Sequence, residues 1–250
     1  LVRVPLGRRT VTGVVWLDAA KVSTDSRWAL NELKAITEVL PDLPPLPTAW
    51  CQLVKFAASY YQRSLGEMAM MVLPPELRQL DAVQWARRIK RWRKEAASAP
   101  EQAPPPWPTP SEEQQSALDA LAQGPAEGTA LLWGSTGSGK TEVYLRQADR
   151  ALMLGHQVLM MVPEINLTPQ LEARVAARFP HRVVVSLHSG LTPAQRLKHW
   201  MMAHLGLADI VLGTRLAVFT PMPRLGLVVV DEEHDPSYKQ QDGARYSARD

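Results

Sequence analysis

From Ser111 onward, short apolar runs alternate with longer segments in which apolar residues recur every three or four positions. The runs 129–133, 157–162, 182–187, 209–212 and 225–230 have strand length; 141–154, 168–179 and 193–205 have helical spacing. Strands separated by helices imply a parallel sheet covered by helices on both faces. Ser111-Glu112-Glu113-Gln114 has the capping-box form and opens a helix that runs to about residue 122.

The front of the chain is patterned differently. Over 2–17, Val2, Val4, Val11, Val14 and Val15 alternate imperfectly with polar residues, and Gly7-Arg8-Arg9 reads as a hairpin turn. From Thr48, the expected N-cap, Trp50, Leu53, Val54, Ala57, Ala58 and Tyr61 fall at helical spacing, and Gly66 with Pro74-Pro75 closes the region. Residues 80–97 set a thin apolar stripe, Trp85, Ile89 and Trp92, among Arg87, Arg88, Lys90, Arg91, Arg93 and Lys94. This basic helix either lies along a phosphate backbone or is an exposed helix whose long side chains cover little, and the second reading is preferred. Six prolines in 98–110 lock φ and remove N–H donors, so that stretch is expected to be a semi-rigid linker.

Composition narrows the class. With 250 residues, 46% hydrophobic and 21% charged, the chain holds one large or two ordinary domains and is not disordered. A single cysteine, Cys51, excludes a disulfide framework and a multi-cysteine zinc site within these residues. No apolar run approaches the roughly 18–20 residues of a membrane span, so no membrane partner and a cytoplasmic setting are expected. Charge is uneven: 15 Lys/Arg against 10 Asp/Glu up to Pro110, then 13 against 15. A basic front half fits an anionic partner such as nucleic acid, or a solvated basic surface. The chain opens on Leu1 and stops at Asp250 just past a motif, so it is expected to be part of a longer protein.

The chemistry sits in the second half. Gly134-Ser135-Thr136-Gly137-Ser138-Gly139-Lys140-Thr141 satisfies the phosphate-loop pattern after an apolar run and before a helix. Its glycines let backbone N–H groups wrap a polyphosphate. Lys140 reaches the β- and γ-phosphates, and Thr141 ligates Mg²⁺. Asp231-Glu232-Glu233-His234 ends a buried-type strand, where ligand crevices of such sheets lie. Asp231 is expected to hold Mg²⁺ and Glu232 to orient or deprotonate the attacking water.

These motifs together resemble the PriA family of primosomal replication-restart helicases (primosomal protein N′), within superfamily two. The resemblance rests on residues 134–145, 161–170, 187–191, 213–215 and 231–243, in the family's order. It implies an α/β fold: a RecA-like P-loop motor lobe over 111–250, an N-terminal 3′-end DNA-binding domain over 1–74, truncated at its start, and a basic helix and linker over 75–110. It implies ATP and Mg²⁺ as cofactors, with Zn²⁺ only in a part beyond these residues. The implied activity is ATP-dependent 3′→5′ unwinding, recognition of stalled forks, and restart with primosome proteins and single-stranded DNA-binding protein. Lacking a second lobe, the 250 residues alone are expected to bind nucleotide and hydrolyse it weakly.

The resemblance also assigns residues. Gln114 reads adenine, besides serving as a cap partner. Arg215 touches DNA backbone, or makes a surface ion pair. Tyr238, Lys239, Arg245 and Tyr246 form an aromatic-rich loop for base stacking and phosphate contact. Glu233 and His234 couple DNA binding to hydrolysis. Gly7 and Lys34 belong to a pocket for DNA 3′ ends. A P-loop kinase or GTPase-like switch, and a DNA-binding module with a vestigial motor, are the rival readings.

Overall fold

The structure, a computed structural model, describes residues 2–16, 35–39, 44–78, 82–98, 104–124, 128–135, 137–166 and 169–250. The chain divides into two compact units, Leu1–Glu95 and Ala96–Asp250.

In the first unit, strands β1 (Val2–Leu6) and β2 (Arg9–Gly13) form an antiparallel hairpin closed at the pair Leu6↔Arg9. Gly7 has φ +61°. A positive φ at the first residue of a two-residue loop is what the twist of a hairpin favours, and glycine takes it without strain. Strand β3 (Glu38–Val39) pairs with the other edge of β1, where Arg3 meets Glu38 at 3.2 Å. Helices α1 (Thr48–Tyr60) and α2 (Leu65–Val72) follow, burying Trp50, Val54, Ala57 and Ala58 of the first and Met68, Ala69 and Val72 of the second. Thr48 is not the cap expected of it. Pro47 holds that position with no side-chain bond, and a proline fixes an extended entry by its own ring. Helix α3 (Ala82–Ala97) corrects a second expectation. Trp85, Ile89 and Trp92 are 0%, 5% and 1% exposed, and the two indoles meet edge to face at 6.3 Å. Three large side chains on one stripe bury more apolar surface than the stripe's narrowness implied.

The second unit is built on four parallel strands, β4 (Gln157–Met161), β5 (Val184–Leu187), β6 (Ile210–Gly213) and β7 (Leu225–Val230), in the order β5-β6-β4-β7. Its helices are α4 (Glu112–Gln123), α5 (Lys140–Met153), α6 (Pro169–Arg178) and α7 (Pro193–His204). Val158, Met160, Ile210 and Leu212 share a core with Leu145, Ala148 and Leu152 of α5 and Val175 of α6. The alternate residues Leu159, Met161 and Val211 point to the opposite face and are equally buried. This is the expected α/β architecture. Gln157, fully buried at the start of β4, donates to the carbonyls of Ala203 (3.2 Å) and Ala208 (2.7 Å) and accepts from the Arg224 N–H (3.0 Å). Its amide thus pins the end of α7 and the entry to β7 with no buried polar atom left over.

Segment 129–133 is not a strand. It runs irregularly, with Leu131 72% and Trp133 90% exposed. A strand exists through its ladder, and apolar composition alone does not supply one. Among the described residues, β7 pairs only with β4. The proline stretch also differs from a free linker at its end. Trp107 meets Phe179 edge-on at 6.3 Å and lies under the guanidinium groups of Arg146 (5.0 Å) and Arg178 (4.2 Å). Arg146 donates to the Pro108 carbonyl and Arg178 to that of Pro106. Both arginines share Glu142, at 2.9 and 3.3 Å.

Candidate active site

The phosphate loop leads into α5, whose first residue is Lys140. Gly137 and Gly139 sit at φ +82° and +81°. A Cβ on Gly139 would collide with the Gln114 amide, so glycine there answers both the backbone and its neighbour. Lys140 Nζ spans the loop, donating to the carbonyls of Gly134 (2.7 Å) and Ser135 (3.0 Å). Thr136 lies outside the described residues.

Gln114 uses both ends of its amide. Its Oε1 accepts from the Ser111 N–H at 2.9 Å, while Ser111 Oγ accepts from the Gln114 N–H at 3.2 Å, completing the capping box. Its Nε2 donates to the Gly139 carbonyl at 3.2 Å. The cap of α4 and the phosphate loop are therefore held by one side chain.

The carboxylate end of β7 reaches the same place. Tyr144, one turn into α5, has its hydroxyl 3.2 Å from Thr141 Oγ1 and 3.4 Å from Asp231 Oδ2. Burial pushes this phenol up to about 12, so the hydroxyl keeps its proton to share. Burial, and then the charge of Glu232, hold the Asp231 carboxyl above its usual range, while Lys140 acts in the opposite sense. Two acids and one ammonium in a half-buried cleft favour a bound cation. The loop's donors, its glycine-shaped backbone and the Thr141–Asp231 pair fit a magnesium polyphosphate. Glu232 adopts φ +46°, a strained value for a side chain of its size, and its N–H donates to Asp231 Oδ1 at 3.1 Å. His234 Nε2 stands 3.6 Å from Glu232 Oε2, and Glu233 pairs with Arg249 at 3.3 Å.

Tyr144 was not singled out from the sequence. The signal was there: it stands three residues after Thr141 on a helix that opens at the loop, hence on the same face.

The remaining motifs converge beside this cleft. Arg215 donates to the Ser237 carbonyl at 3.1 Å, Ser237 Oγ accepts from the Glu164 N–H at 3.4 Å, and Ser189 donates to the Glu164 carboxylate. Arg215 is half-buried and, through its bond to Ser237, braces the loop after β7. The loop's two tyrosines lie inward. Tyr238 and Tyr246 are each 2% exposed; Tyr238 donates to the Asp231 carbonyl at 2.7 Å, and Tyr246 packs edge-on to Phe219 at 5.0 Å. Their rings serve the apolar packing under the loop, so neither offers a face to a base in this arrangement. Lys239 and Arg245 remain exposed. Gly7 is described at its hairpin turn, and Lys34 lies outside the described residues.

Among the described residues, no helix is long and apolar enough to cross a membrane, and no group of three His, Cys, Asp or Glu could hold a metal by itself. A cation here would depend on Thr141 and Asp231 with oxygens of the nucleotide.

Comparison with known proteins covers both units. Residues 1–74 match the family described as 3'DNA-binding domain (3'BD), and residues 111–249 match DEAD/DEAH box helicase. Replication restart protein PriA of Haemophilus influenzae is 55% identical over 120 residues, 48% of this chain and 16% of that protein. The protein of that name from Treponema pallidum is 34% identical over 247 residues, 98% of this chain and 36% of its own length. The one from Rickettsia felis is 36% identical over 253 residues, 100% and 35%. The chain spans about a third of the length of the relatives it matches throughout.

Proposed function

As the chain belongs to the DEAD/DEAH box helicase family, we propose that it is the N-terminal part of an ATP-dependent 3′→5′ DNA helicase that recognises abandoned replication forks and restarts replication. The observation that carries this reading is the Tyr144 hydroxyl, which ties Thr141 of the phosphate loop to Asp231 at the end of β7.

Bound ATP with magnesium would supply a labile terminal phosphoryl group and neutralise its charge. The N–H groups of 134–139 would bind the phosphates, and Lys140 would exchange its loop carbonyls for phosphate oxygens. Thr141 and Asp231 would hold the cation. Glu232 would orient the attacking water and accept its proton. Gln114 would turn its remaining donor toward adenine. Glu233 and His234 would relay the state of the loop beyond them, with Lys239 and Arg245 meeting DNA.

Residues 1–74 would capture DNA 3′ ends with Gly7 and Lys34, 75–110 would join the two domains, and 111–250 would form the first motor lobe. A second lobe, with zinc-binding cysteines, would complete the machine; the 250 residues alone would turn ATP over slowly. The working setting is cytoplasmic, with primosome proteins and single-stranded DNA-binding protein as partners.

Lys140→Ala in the complete protein is the test. Strand displacement on a forked DNA should fall by at least roughly a hundredfold while fork binding persists, because phosphate stabilisation in the transition state is lost. Undiminished unwinding would overturn the motor reading.

A further inference from the structure

Helix α3 follows the 3'DNA-binding match and is absorbed by neither motif set. Its sixteen residues hold six cations and one acid, Glu95. The stripe of Trp85, Ile89 and Trp92 is buried, which fixes the rotation of the helix. Arg87, Lys90, Arg91 and Lys94 follow one another at helical spacing on the side directly opposite that stripe, and all four are exposed. From Arg87 to Lys94 the row covers about 10 Å. A duplex presents about six phosphate charges over that length. The first 95 residues carry 15 Lys/Arg against 9 Asp/Glu, so the surrounding field has the same sign.

We propose that α3 is a second, sequence-independent DNA contact of this chain: its outward cationic row lies along the phosphate backbone while its tryptophans anchor the helix to the protein. A basic amphipathic helix can also bind anionic membranes, but it does so by inserting its apolar face. Here that face is already buried, which leaves a row of charges with a single exposed valine, Val83, beside it, too little apolar surface to insert, and selects the nucleic acid. The inference rests on reading the first unit as DNA-binding, and it adds a site outside the 3′-end pocket.

The experiment is a salt titration of binding to forked, duplex and single-stranded DNA by the 250-residue chain. The variants are Arg87→Gln, Lys90→Gln and Arg91→Gln combined, and Arg87→Lys with Arg91→Lys. Loss of three duplex contacts should flatten the log–log salt dependence by roughly 2–3 and weaken binding by about tenfold or more. The loss should be equal for different sequences and should not depend on a free 3′ end. The lysine pair should bind as the parent does, because only charge is asked of it. A parental slope in the triple variant overturns the proposal, as does a lysine pair as weak as the glutamine variant. Co-sedimentation of the parent with phosphatidylserine vesicles as tight as its DNA binding would assign the row to membranes instead. A parent that binds no DNA would sink the reading of the whole first unit, a separate outcome from an unchanged slope.

Discussion

Single side chains in this protein carry two tasks each, and that limits what spacing alone reveals. Gln114 was legible both as a cap partner and as a nucleotide contact; its amide caps α4 with the oxygen and steadies the phosphate loop with the nitrogen. Lys140, Thr141 and Asp231 were read as one site from their motifs, and the structure brings Thr141 and Asp231 to the same Tyr144 hydroxyl. Tyr238 and Tyr246 show where spacing stops: an aromatic beside basic residues looks the same in sequence whether it faces a base or a core, and here both are buried. Tyr144 is the residue whose removal tells most. Tyr144→Phe keeps the ring and deletes the hydroxyl between Thr141 and Asp231. One partly buried hydrogen-bonding group is worth about 1 kcal/mol. ATP turnover by the complete protein should drop several-fold with little change in nucleotide affinity, measured by steady-state kinetics and titration. Equal turnover would show that the bridge is incidental to chemistry.

Elements were read well where period and caps agreed. Helix α7 begins at Pro193 behind a Thr192–Gln195 capping box, and β4, β5, β6 and β7 fall within a residue or two of their expected bounds. They were read poorly where stability comes from elsewhere in the chain. Segment 129–133 has the residues of a strand and no ladder; α3 has few large apolar residues, and three of them, Trp85, Ile89 and Trp92, are buried. The tail of the proline segment is the clearest case. No local rule places an indole between two arginines, one from α5 and one from α6. Trp107→Ala removes both cation–π contacts and the edge contact with Phe179, a loss of about 2–3 kcal/mol for a half-buried ring. Urea unfolding followed by far-ultraviolet circular dichroism should show a lower midpoint for the second unit. A midpoint matching the parent would mean that the proline segment merely rests there.

At the scale of the molecule, charge asymmetry and the change of pattern near residue 110 announced two parts. The division falls at Glu95–Ala96, because α3 is counted with the first unit by its contacts rather than with the linker. Two units with separate cores unfold as separate transitions unless they are strongly coupled. Calorimetry should therefore resolve two endotherms. Magnesium with a non-hydrolysable ATP analogue should raise one of them, and a 3′-ended DNA the other, each by mass action on the unit that binds. One endotherm moved equally by both ligands would contradict independent units. The fastening of residues 106–108 onto α5 and α6 has a mechanical corollary. Tension drawn along the polypeptide at residues 106–108 would be delivered through the Arg146 and Arg178 side chains to α5 and α6, and so to the helix headed by Lys140.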